Sequence, residues 1–126
     1  MSEEITKDDA EAKAGTLLSH IYLHNFTGKE VKWATLKNES PGLHTHDVHD
    51  LASGTKVKMF DVMWKAGAKH WWTLEFSVDD VLYKSDRLRC DLKSEDSVRN
   101  TAISFDLTVM RVQRFKSPCS GAVRRK

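Results

Sequence analysis

From residue 17 onward, apolar and polar side chains alternate with a period of two, the pattern of half-buried strands. In residues 17–26, Leu17, Ile21 and Leu23 share one face, with His20, Tyr22, His24 and Phe26 on the other. Thr27-Gly28-Lys29 reads as a turn. Residues 30–38 read as a second strand with Val31, Trp33 and Thr35 aligned, and the two strands predict an antiparallel hairpin. Residues 38–54 read as a loop: Asn-Glu-Ser-Pro-Gly, a histidine-rich stretch, then Ala-Ser-Gly. Strand signals resume at 55–64, where Val57 and Met59 alternate with Lys56, Lys58 and Phe60. Lys65-Ala66-Gly67-Ala68 predicts a turn. Residues 70–78 then alternate cleanly, with Trp72, Leu74, Phe76 and Val78 against Trp71, Thr73, Glu75 and Ser77. Asp79-Asp80 marks a turn into 81–85. Leu88, Cys90 and Leu92 alternate next, before a polar turn at 93–97. Residues 101–112 align Ile103, Phe105, Leu107 and Val109 against Ser104, Asp106, Thr108 and Met110.

About seven strands result, with no helical period between them. A parallel α/β sheet needs crossover helices, and no segment supplies them. The pattern predicts an all-β fold, an antiparallel two-sheet β-sandwich of about seven strands over residues 17–112. At 126 residues, 40% hydrophobic and 30% charged, the chain holds one ordinary globular domain. Residues 1–16 form an acidic N-terminal segment, read as a short helix over 3–14 or as disordered chain; Thr6 and Asp9 stand at capping-box spacing. Residues 113–126 read as a solvated basic tail.

The net charge of +2 conceals a separation. Residues 1–16 carry Glu3, Glu4, Asp8, Asp9 and Glu11 against Lys7 and Lys13, giving −3. Residues 113–126 carry Arg114, Lys116, Arg124, Arg125 and Lys126 without an acid, giving +5, so the body between is neutral. A neutral body lacks the basic excess that duplex binding needs, so no nucleic-acid partner is expected. The tail adds attraction to an anionic membrane surface. No apolar run approaches the roughly 20 residues of a spanning helix, and the acidic start carries no apolar signal-peptide core. A cytoplasmic location, or secretion without a signal peptide, is the expectation. Cys90 then reads as a small buried hydrophobe and Cys119 as an exposed reduced thiol. The sequons at Asn25 and Asn38 read as chance.

Two clusters carry candidate chemistry. His44-Thr45-His46-Asp47-Val48-His49-Asp50 gathers three imidazoles and two carboxylates, ligand types that suit a divalent transition metal. The run is similar to the motif of metallo-β-lactamase-like hydrolases. It lacks that motif's spacer before the Asp, and the chain is too short for their fold. His44, His46 and His49 are the candidate metal ligands, against the plain reading of a polar surface loop. The second cluster is aromatic. Adjacent strand residues face opposite sides, so Trp72 enters the core and Trp71 faces outward. Trp64, beside a predicted turn, is expected as an exposed anchor. Trp64, Trp71 and Tyr83 are the candidate ligand-stacking residues. There is no phosphate-binding glycine loop and no Gly-x-Ser-x-Gly elbow, so no catalytic residues are assigned.

Trp71-Trp72, Cys90 and Ser94-Glu95-Asp96 resemble a small β-sandwich domain family of nematodes and fungi, first named for induction in long-lived insulin-receptor mutants of a nematode. Arg89 stands where that pattern has an aromatic before the Cys. Ile21-Tyr22-Leu23-His24-Asn25 is also similar to the opening of aegerolysins, small acidic β-sandwich proteins that bind membrane lipids. These resemblances imply a β-sandwich and transfer no functional residue.

The leading expectation is a non-enzymatic recognition module without a cofactor, lectin-like or lipid-binding, whose partner is a glycan or lipid head group. The alternatives are a metal-binding protein using the histidine cluster, and a structural homodimer pairing through sheet edges.

Overall fold

The computed structural model describes residues 16–40 and 42–126. The expected helical or disordered stretch at 3–14 lies outside the described residues. Ten strands follow: β1 Thr16–Asn25, β2 Val31–Ser40, β3 Gly42–Leu51, β4 Lys56–Lys65, β5 Trp71–Val78, β6 Val81–Ser85, β7 Leu88–Arg89, β8 Asn100–Phe105, β9 Val109–Gln113 and β10 Cys119–Arg125. Among the described residues, one 3-10 turn occupies Ser94–Asp96. The all-β expectation holds, but the architecture differs from a seven-stranded sandwich. The strands form one mixed sheet in the order β3-β2-β5-β6-β10-β9-β8-β1-β4, with β7 paired to β5. Its two edges, β3 and β4, approach one another, so the sheet nearly closes into a barrel.

Three features turn the expected sandwich into this sheet. First, β1 and β2 do not pair as a hairpin. β1 runs antiparallel to β4 and parallel to β8, while β2 lies between β3 and β5. Asn25 at the end of β1 redirects the chain. Its amide donates to the carbonyls of Lys29 and Leu51, at 2.8 and 3.0 Å, and its Oδ1 accepts from the N–H and hydroxyl of Thr27. Second, the stretch read as a histidine loop is strand β3, held along β2 from Val31↔Leu51 to Ser40↔Gly42. Third, the segment read as a basic tail supplies β10, which joins the two halves of the sheet by pairing with β6 and β9. Arg124 and Lys126 are not free tail charges; they meet Asp86 at 3.5 Å and Glu75 at 3.1 Å.

Residues 101–112 are a hairpin rather than one strand. Asp106 Oδ1 accepts from the N–H groups of Thr108 and Val109 and from the Thr108 hydroxyl, at 2.8–2.9 Å, which reverses the chain. The buried face therefore changes parity: Met110 and Val112 enter the core and Val109 lies at its margin. By contrast Asp79 and Asp80, both at positive φ, form the expected two-residue turn between paired Val78 and Val81.

The core holds Ile21, Leu23, Leu36, Trp72, Leu74, Phe76, Ile103 and Phe105, each at most 1% exposed. Cys90 and Cys119 are bridged, with Cα atoms 5.9 Å apart, which corrects the reading of two reduced thiols. Asn25 and Asn38 are fully buried and hydrogen-bonded, in keeping with sequons that arise by chance.

Candidate functional site

The candidate site is built at the end of the sheet where β4 turns into β5. The turn closes with the Ala68 N–H donating to the Lys65 carbonyl at 2.9 Å, and Gly67 takes φ 86°, which L side chains avoid. Beyond it, β5 drives Trp72 into the core, fully buried, with its Nε1–H donating to the Cys90 carbonyl at 2.9 Å. Strand alternation then sends Trp71 outward, half-buried, as expected. Its neighbours across the sheet are Glu39 on β2 and Arg89 on β7. The Arg87 guanidinium lies 4.1 Å over the Trp71 ring, and its Nε donates to Glu39 Oε1 at 3.2 Å. A cleft of about 620 Å³ opens here, lined by Trp71, Arg87, Glu39, Lys65, Lys69 and the small residues 66–68. Three cations face one carboxylate, beside an aromatic surface. This arrangement offers ring stacking together with charge-assisted hydrogen bonds.

A smaller pocket of about 110 Å³ lies against the same turn. Residues 66–68 line both spaces, and Trp64, Asp91, Leu92, Lys93 and Ser94 complete the smaller one. Trp64 is not the exposed anchor expected from the sequence. It is only 3% exposed, because a register shift opposite Ile21 and Tyr22 moves the buried face of β4 from Met59 to Val62 and Trp64, and Trp64 pairs with Leu17. Among the described residues, the Nε1 of Trp64 and the Nε2 of His70 are both buried without a hydrogen-bond partner, and the two rings meet edge-on with centroids 5.2 Å apart. Ser40 donates to Asn38 Oδ1 at 2.5 Å, which turns the Asn38 amide N–H toward His70 Nδ1 at 3.5 Å. Assigned from that network, His70 carries its proton on Nε2.

Burial lowers the His70 pKa to about 4, with the Asp91 charge opposing and His44 reinforcing the shift, so the ring is neutral near pH 7. Asp91 is held at about 2, chiefly by its hydrogen bond to Arg89; Arg89 Nη2 lies 2.9 Å from Oδ2, and the His70 N–H donates to Oδ1 at 2.9 Å. Asp91 is therefore already engaged on both oxygens.

The remaining candidates lie elsewhere. Tyr83 is half-buried on β6 and stacks on Phe76, with ring centroids 5.1 Å apart. Phe76 is five positions along β5 from Trp71, so Tyr83 stands about 17 Å away from the cleft. Trp64, Trp71 and Tyr83 do not form one surface. The histidines also divide. His44 and His46 share a face of β3, while His49 projects from the other, opposite Trp33. His44 is half-buried, its ring centroid 5.8 Å from that of Phe60, and its Nδ1 has no partner among the described residues. Among the described residues, no group of three His, Cys, Asp or Glu side chains is arranged to hold a metal ion.

Sequence reasoning missed Glu39, Arg87, Lys93 and the burial of His70. Their positions depend on pairings between distant strands, which local alternation does not encode. Only the turn 65–68 and its flanking lysines were visible as a unit.

No protein-family model matches this chain, and no curated protein is significantly similar to it in sequence. The resemblances drawn from Trp71-Trp72, Cys90, Ser94-Glu95-Asp96 and the β1 segment rest on those residues alone.

Proposed function

We propose that this chain is a non-enzymatic, lectin-like recognition module whose binding site is the Trp71 cleft. One observation carries this reading: a half-buried indole lines a 620 Å³ concavity edged by Arg87, Lys65, Lys69 and Glu39. A sugar ring presents C–H groups to an aromatic face and hydroxyls to charged neighbours, and this wall supplies both. Arg87 is the adaptable element. It is exposed and its partner Glu39 is only half-buried, so exchanging that pair for ligand hydroxyls costs little. The Cys90–Cys119 bridge supports an oxidising compartment, which favours secretion over the cytoplasm among the locations read from the sequence.

An immobilised glycan array and sedimentation with phosphatidylcholine/phosphatidylserine vesicles test the reading together. The wild type should capture at least one glycan class, and Trp71→Ala should lose that signal. Vesicle binding that persists in Trp71→Ala, with no glycan captured, would replace the lectin reading with a lipid-binding one. Folded protein that binds neither would remove the recognition role.

A further inference from the structure

Segments 93–99 and 113–117 are bound into one surface by a buried carboxylate. Asp96, 2% exposed, accepts the Lys93 N–H at 2.7 Å on Oδ2 and the Phe115 N–H at 2.8 Å on Oδ1, while its carbonyl accepts the Ser19 hydroxyl at 2.7 Å. The two segments are thereby fixed to each other and to β1. Phe115 is 55% exposed and Val98 47%. Arg99, next in the chain to Val98, lays its guanidinium 3.8 Å over the Phe115 ring. The Val98 N–H donates to the Leu18 carbonyl, and half-buried Leu18 pairs across the sheet with Met63, itself 56% exposed. Apolar side chains therefore continue from the segments onto the outer faces of β1 and β4. A β-branched residue at φ 54° with its side chain in water costs the fold stability, and such strain is retained where a surface is used.

The same segments carry Lys93, Arg99, Arg114 and Lys116 against Glu95 and Asp96. Glu95 faces Lys116 at 3.4 Å. Among the described residues, Arg99 and Arg114 bond neutral oxygens: the carbonyls of Glu95, Asp91 and Ser117 and the Ser117 hydroxyl. Those bonds hold the guanidinium groups in place without cancelling their charge. Exposed apolar side chains among lysines and arginines match the boundary of an anionic bilayer, where apolar groups enter the head-group layer and cations meet lipid charge. A second copy of this surface would bring like charges together. A soluble polyanion would use the cations and leave Phe115, Val98 and Met63 in water. We propose that this surface docks on an anionic membrane, with Phe115 and Val98 among the head groups and Arg99, Arg114 and Lys116 against the lipid charge. The proposal is independent of the lectin-like reading, since none of these residues lines the Trp71 cleft. It also moves the membrane attraction away from the end of the chain, where Arg124 and Lys126 meet acids.

Sedimentation of the full chain with vesicles of phosphatidylcholine, with and without phosphatidylserine, tests the proposal. The wild type should bind the phosphatidylserine vesicles at least ten-fold more tightly, and added salt should weaken that binding. Arg99→Gln should cost about five-fold, the worth of one basic residue at such a surface. Phe115→Ser and Val98→Asn should each weaken binding several-fold. Val98→Asn relieves the strained φ, so its loss of binding should come without loss of stability in urea, and unfolding is then no explanation. Arg125→Gln removes an equal charge from the far end of β10 and should bind as wild type does, as should Trp71→Ala. Binding unchanged in both Phe115→Ser and Val98→Asn, or weakened as much by Arg125→Gln as by Arg99→Gln, would overturn the docking surface. So would binding lost in Trp71→Ala, which would place the membrane at the cleft. Protein that ignores both vesicle types, whether or not it binds duplex DNA, would overturn it as well and leave the glycan reading standing.

Discussion

The guanidinium of Arg87 lies 4.1 Å over the indole of Trp71 and is tethered from the side by Glu39 at 3.2 Å. This stack covers one face of the tryptophan that lines the large cleft. An exposed cation–π pair is worth about 0.5–1 kcal/mol. Arg87→Ala should therefore cost no more than about 1 kcal/mol in denaturant unfolding. It should also increase acrylamide quenching of tryptophan fluorescence, because Trp64 and Trp72 remain buried. Unchanged quenching would mean that Arg87 does not shield Trp71.

The bridge between Cys90 and Cys119 closes a loop across a sequence separation of 29 and secures the start of β10. β10 is the strand that connects β6 to β9, so its attachment holds the two halves of the sheet together. Loop-closure entropy predicts a contribution of about 3–4 kcal/mol. Cys119→Ser, or reduction with dithiothreitol, should lower the unfolding midpoint correspondingly. Intact protein should also weigh about 2 Da less before reduction than after. An unchanged melting curve on reduction would contradict this role.

His70 sets the direction of acid sensitivity. Its folded pKa, near 4, lies below the ordinary value of 6.5, so between these values the unfolded chain binds the extra proton. Stability contributed by the neutral ring is fully present above about pH 6.5, declines as the pH falls, and levels off below about 4. His70→Phe should remove this component. The stability difference between wild type and variant should therefore change across that window by up to about 3 kcal/mol. A constant difference from pH 7 to 4 would show that His70 does not titrate as its burial dictates.

Val98 adopts φ 54°, where a β-branched side chain is strained, and it is 47% exposed. Its N–H donates to the Leu18 carbonyl, so the backbone is held there by β1. Asn tolerates this conformation far better. Val98→Asn should raise stability by about 1 kcal/mol in urea unfolding. A loss of that size would indicate that the exposed isopropyl group contributes more packing than its exposure suggests.

The strands that alternate without interruption were legible from the sequence. β1 and β5 bury the side chains their period of two assigns, and the Asp79-Asp80 turn falls where its residues demand it. β3 was not legible, because it is an edge strand with both faces largely open; His46, Asp47 and His49 are exposed, and the segment has no apolar stripe to read. β10 carries arginines and lysines that meet acids on neighbouring strands, so its charge masked a strand in the middle of the sheet. The parallel β1–β8 pairing joins segments about eighty residues apart and leaves no local mark. At the site, Trp71 was identifiable from strand alternation beside a buried Trp72. Trp64 was misplaced because the register shift in β4 opposite Ile21 and Tyr22, which turns Val62 and Trp64 inward, has no mark in the local alternation. Arg87 and Glu39 meet only through the β2–β5–β7 arrangement.

The most direct test of the account is calorimetric titration of the strongest glycan from the array into wild type and into Trp71→Ala, with both proteins shown to be folded. Stacking on the Trp71 ring predicts at least a ten-fold loss of affinity, equivalent to about 1.4 kcal/mol. Equal affinity in the two proteins would contradict the assignment of the cleft as the binding site.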